Sequence, residues 1–223
     1  MIVSRFSSSE EVEAKILRVL NACGQTVTRV VGLASEVEPI DWFYAIKFKR
    51  IGRDGLFDRK QNIIEQVNQT LTYLVTFQGI KALFSLHPES GPYLANLGAR
   101  SGPDISSEDG TIMAEAFAAV RPTNNRKLLI DLQRCSKHPA HHKYVFFFSP
   151  GIPAGRFEHD YGFPDIAVYR IELPTRERFS ENVEQDDGEW LKAAARNPAF
   201  DFLREPIEDI YTLADGKPFH DAR

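Results

Sequence analysis

The chain has 223 residues, 43 % of them hydrophobic and 26 % charged, with a formal net charge of −4. That length suits one domain towards the upper end of the single-core range, and the composition is that of a packed protein, which excludes extensive disorder. The acidic balance excludes a domain that grips nucleic acid over its whole surface, so any such contact needs a local basic patch. The longest strongly apolar run, residues 144–148, is far shorter than the roughly 20 residues that a bilayer crossing needs. The N-terminus turns acidic at once and lacks the basic-then-apolar order of a secretory signal, which predicts a cytoplasmic protein with no membrane partner. Cys23 and Cys135 are too few for a disulfide framework and lack paired zinc-site spacing, so both read as buried small hydrophobes.

Ser7-Ser8-Ser9 before Glu10 and Glu11 is a helix start, and Val12, Ile16, Val19 and Leu20 recur at helical spacing until Cys23-Gly24. The β-branched stretch from Thr26 to Leu33 and the apolar run from Trp42 to Phe48 both read as strands. Gln61 to Gln78 is an amphipathic helix whose apolar face is Ile63, Ile64, Val67, Leu71, Leu74 and Val75. Residues 80–86 read as a strand or as a continuation of that helix, and His87 to Gly102 as a Gly- and Pro-rich loop. Pro103–Ser107 and Thr111–Val120 flank Asp109-Gly110, a strong hairpin signal. A helix from Asn124 to Arg134 follows, with Leu128, Leu129, Leu132 and Cys135 making an apolar stripe, then strands at Lys143–Ser149 and Ile166–Leu173. The tail reads as helical around Trp190 to Arg196. The expectation is one α/β domain over 1–223, with an N-terminal addition (1–57), a core (58–173) and a C-terminal tail (174–223).

The hairpin carries the chemistry. Asp104 follows Pro103 at the start of its first strand, and Glu115 stands on the return strand after ten intervening residues. Strand side chains alternate, so Glu115 and Phe117 share one face while Ala114, Ala116 and Ala118 share the other, where small side chains suit a closely packed helix. A carboxylate inside the apolar run from Ile112 to Val120 is costly unless paired or metal-bound.

The Pro103-Asp104 pair, the spacing and Glu115-Ala116-Phe117 resemble the PD-(D/E)XK nuclease superfamily over about residues 58–173, roughly half the chain. The resemblance implies a restriction-endonuclease-like core and Mg²⁺- or Mn²⁺-dependent hydrolysis of DNA. Asp104 and Glu115 would hold the metal, Glu65 on the long helix would complete the ligand set or else is an exposed helix charge, and a symmetric homodimer would be in keeping. One position departs. Phe117 stands where the family usually has lysine, and a phenyl ring neither orients water nor stabilises an oxyanion. Either Lys127 (or Arg126) on the next helix supplies the displaced charge, or catalysis is lost and the fold binds a protein or DNA partner.

Other constellations are weaker. Pro164-Asp165 with Glu172 lies on one continuous strand, with the acids about 20 Å apart at strand rise, too far to share a metal. Cys135, His138, His141 and His142 straddle a helix end with no second half of a zinc site, and contact with phosphate from Lys137, His138 and Lys143 is the better reading. Lys47, Lys49, Arg50, Arg53, Arg59 and Lys60 interleave with Trp42, Phe43, Tyr44, Phe48 and Phe57. Such a surface can track a nucleic-acid strand or can simply be a solvated turn.

Overall fold

Strand β1 (Val3–Phe6) opens the chain and leads into α1 (Ser9–Ala34). The computed structural model describes residues 3–98 and 101–174. Ser8 caps α1 by accepting from the Glu11 N–H, so the expected start holds. The expected stop at Cys23-Gly24 does not, and the stretch from Thr26 to Leu33 is helix, not strand. Thr26, Val27, Val30 and Val31 turn onto one side of α1 and line an open apolar groove with Ile63, Val67 and Leu71. Helical continuation of α1 thus overrides their β propensity, with Thr26 buried and Val27 and Val31 exposed. The run from Trp42 to Phe48 is corrected likewise, since it lies in α2 (Pro39–Phe48), which begins with proline in its first turn.

A short ribbon follows, β2 (Gly52–Arg53) against β3 (Lys60–Gln61). Helix α3 (Ile63–Leu86) then starts at a capping box in which Asn62 accepts from Glu65 N and the Glu65 carboxylate accepts from Asn62 N. It runs on through residues 80–86 as helix. The expected loop after His87 contains a further strand, β4 (Tyr93–Asn96). The hairpin is present as β5 (Ile105–Ser107) and β6 (Ile112–Ala118). Its turn is held by Asp109, whose carboxylate accepts from Ser107 Oγ and Thr111 N. A 3₁₀ turn (Asn124–Arg126) leads into α4 (Lys127–Lys137), one turn later than the sequence suggests. Strands β7 (His142–Phe148), β8 (Gly155–Arg156) and β9 (Ile166–Arg170) complete the described fold. The expected helix around Trp190 to Arg196 lies outside the described residues.

The architecture is α/β around a mixed seven-stranded sheet, ordered β1-β4-β5-β6-β7-β9-β8. Neighbours from β1 to β6 are antiparallel, β6, β7 and β9 run parallel, and β8 returns antiparallel on the edge. The N-terminal stretch therefore contributes to the main sheet through β1. Alternation divides the core as expected. Ala114, Ala116, Tyr144 and Phe146 face the layer containing α1 and α3, whereas Met113, Phe117, Val145 and Phe147 face Leu128, Leu132 and Cys135 of α4. Cys135 is fully buried and Cys23 partly so, in keeping with a packing role. Among the described residues no helix is long and apolar enough to cross a membrane.

Candidate active site

Ile105 pairs with Ala114 across the hairpin, and this register sets Asp104 level with Glu115. Asp104 is anchored in that position, because its Oδ2 accepts from the backbone N–H of Ala116 at 2.8 Å. Glu115 sits mid-strand on β6, between antiparallel β5 and parallel β7, and is only 4 % exposed. Burial, then the negative charge of Asp104, then that of Asp131 push the Glu115 carboxyl up to about 8, with Arg134 opposing. The negative charge beside it and the low-dielectric surroundings thus favour the protonated form of Glu115.

Asp131 is the residue that sequence reasoning misses. It lies on the inner face of α4, fully buried, with one oxygen 2.7 Å from Lys127 Nζ and 3.6 Å from Arg134 Nη1. Its other oxygen, Oδ2, is buried and has no hydrogen-bond partner among the described residues. Desolvation raises its pKa although Lys127 pulls the other way. A signal for it does exist. Leu128, Asp131, Leu132 and Cys135 fall at i, i+3, i+4 and i+7, so the acid is on the apolar stripe of its helix.

Lys127 Nζ stands 5.6 Å from the centroid of the Phe117 ring. The ammonium of α4 thus reaches back over the strand position where the resemblance expects a lysine. Arg126 precedes it in a left-handed backbone conformation (φ 55°) as the N-cap of α4. Glu65 does not join the cluster. It is exposed at the first turn of α3, spent on its capping box, and belongs to the helix that covers the opposite face of the sheet. Asp165 and Glu172 flank the two ends of β9, and Glu172 pairs with Arg170.

Asp104 and Glu115 line an open cleft of about 500 Å³ together with Pro103 and Met113, and Arg134, Lys137 and His138 form its basic rim. Among the described residues no three His, Cys, Asp or Glu side chains form a ready metal cage, and this holds for Cys135 and its neighbouring histidines too. Mg²⁺ does not require one, since it is commonly held by one or two carboxylates with waters and substrate phosphates. The oxygen-only donor pair of Asp104 and Glu115 is of the chemistry that a hard divalent cation takes.

No family model, curated protein or solved structure matches this chain.

Proposed function

We propose that the chain is a divergent, metal-dependent nuclease of restriction-endonuclease-like fold, hydrolysing phosphodiester bonds of DNA at the Asp104–Glu115 cleft. The observation that carries this reading is the pairing of Asp104, anchored to β6, with buried Glu115 in one cleft, and Lys127 of α4 over Phe117 two residues further along β6. Helix α4 and strand β7 also follow the β5–β6 hairpin in the order that the resemblance implies.

Asp104 and Glu115 would hold Mg²⁺ or Mn²⁺. When bound there, such an ion supplies Lewis acidity to a phosphoryl oxygen and lowers the pKa of a coordinated water. The chain's own groups do the rest. Arg134, Lys137 and His138 draw the phosphate into the cleft, and the Lys127 ammonium over Phe117 would add fixed positive charge where negative charge grows in the transition state. Asp131 orients that ammonium through their 2.7 Å ion pair, so it acts as a positioning residue.

One observation favours a silent, partner-binding version of the same fold. Lys127 is already committed to Asp131, and Phe117 is stacked on Phe147 at 5.6 Å, as a core residue would be. Cleavage of supercoiled, linear and single-stranded DNA in Mg²⁺ and Mn²⁺ separates the two. The nuclease reading expects cutting by the native protein, none by Asp104→Ala or Glu115→Ala, and a roughly hundredfold loss in Lys127→Ala. Equal inertness of native and variant proteins, all folded, would leave the binding reading.

A further inference from the structure

Between α2 and α3 the chain gathers positive charge. Six basic and two acidic side chains lie between Lys47 and Lys60, in a chain whose net charge is −4. Both acids are consumed locally. Asp54 is buried and accepts from Leu56 N, Phe57 N, Arg59 Nη2 and Tyr73 Oη. Asp58 pairs with Arg53. The ribbon is pinned from below by buried Gln66, whose Oε1 accepts from Arg53 N at 2.8 Å and leaves no room for a side chain at Gly52.

What remains is a concentration of cations around one concavity. An open cleft of about 590 Å³ is lined by Arg29, Arg50, Arg53 and Lys60, with Glu36 the one acid on its wall. Arg29, Arg50 and Lys60 are exposed and, among the described residues, form no ion pair. The chain that enters the cleft at Arg50 leaves α2 directly, and α2 exposes Phe43 (64 %), Tyr44 (53 %) and Phe48 (61 %). Lys47 stands over the Phe48 ring and Lys49 over the Tyr44 ring, each at 5.6 Å. Unneutralised cations gathered in a groove repel one another unless an anion lies between them. Exposed aromatic rings on the helix that leads into the groove, with Phe48 two and Tyr44 six residues before Arg50, select an anion that carries flat rings.

We infer that the cleft of Arg29, Arg50 and Lys60, with the exposed aromatic residues of α2, binds single-stranded nucleic acid, the cations tracking the backbone and Tyr44 and Phe48 stacking on bases. The inference shares its partner class with the nuclease reading but draws it from different residues, on the first 62 positions of the chain.

The test is fluorescence anisotropy of a labelled oligothymidylate with the full chain in EDTA, where no cleavage occurs. Binding that weakens steeply with salt is expected. Arg29→Glu with Arg50→Glu should weaken it at least about tenfold and reduce the salt slope by about 1.4, or about 0.7 for each single-strand phosphate that the variant no longer neutralises. Tyr44→Ala with Phe48→Ala should weaken it roughly tenfold with the slope unchanged. Arg29→Gln with Arg50→Gln serves if charge reversal impairs folding, as judged by thermal melting. A chain that binds here but never cuts DNA refutes the nuclease reading alone. Absence of binding by the native chain, unchanged binding by the Arg29 and Arg50 variants, or binding to phosphatidylserine vesicles in place of the oligonucleotide would overturn the inference.

Discussion

At the scale of single residues, the candidate site is a problem of where protons go. The Glu115 carboxyl is held up to about 8, first by burial and then by Asp104, and the buried Asp131 is raised in the same direction. An unfolded glutamate titrates near about 4.3, so the folded state binds the extra proton across that interval. The stability this supplies is complete below about pH 4 and is lost as pH rises through about 8. In EDTA, the urea midpoint of the native protein should therefore fall between about pH 5 and pH 8.5, and Glu115→Gln should flatten the profile and gain on the order of 3 kcal/mol at the alkaline end. An unchanged slope in the variant would remove Glu115 as the source. The Lys127–Asp131 pair answers to a different measurement. Lys127→Met leaves a buried carboxylate with only the more distant Arg134 and should cost about 2 kcal/mol, whereas the same change in an Asp131→Asn background should cost little. Additive costs in that double-mutant cycle would show that the pair is not coupled.

At the scale of elements, α3 lies close to the sheet because Gly79 lets it. A Cβ at that position would stand 2.7 Å from Phe146 Cδ2 and 3.1 Å from Ile105 Cδ1. Alanine gains about 1 kcal/mol of helix propensity over glycine, but overpacking a filled core costs about 1–3 kcal/mol. Gly79→Ala should therefore be destabilising by about 1 kcal/mol in urea denaturation, and Phe146→Leu introduced beside it should recover part of the loss. A stabilised Gly79→Ala would mean that the sheet yields. The sheet and its helices also differ in how much of them a sequence announces. The hairpin, the alternation at Glu115 and Phe117 and the face given to the alanines are legible because strand geometry forces them. Thr26 to Leu33 and Trp42 to Phe48 point the wrong way because short β-branched or aromatic runs fit a strand as well as a helix face. In the first case the segment continues α1, with Thr26 buried and Val30 lining a groove with α3, and in the second Pro39 opens α2; neither effect is contained in a propensity. Strand β4 is hidden by its length of four residues among Gly and Pro. Asp131 is hidden because a Lys–Asp spacing of four residues ordinarily marks a solvated helix face.

At the scale of the whole molecule, the sheet separates two chemistries. Its α4 face holds the carboxylates, and the helices on the other face lead into the basic ribbon before α3. If Asp104 and Glu115 form an ion site, ligand binding becomes folding stability, because an unfolded chain does not hold the two acids together. A cation at a hundredfold excess over its Kd contributes about 2.7 kcal/mol, which for a chain of this size raises Tm by roughly 5–10 °C. The ion must displace the proton on Glu115, so the gain should grow as pH rises from about 6 to about 8, the reverse of the trend in EDTA. Thermal melts with and without Mn²⁺ across that range test both statements at once. Asp104→Asn and Glu115→Gln should each abolish the shift, whereas Glu65→Gln should retain it, since Glu65 is engaged in its capping box on the opposite side of the sheet. A shift that survives in the Asp104 and Glu115 variants, or one that does not depend on pH, would assign the ion to some other part of the chain and leave the buried acids with Lys127 and Arg134 as their only counter-charges among the described residues.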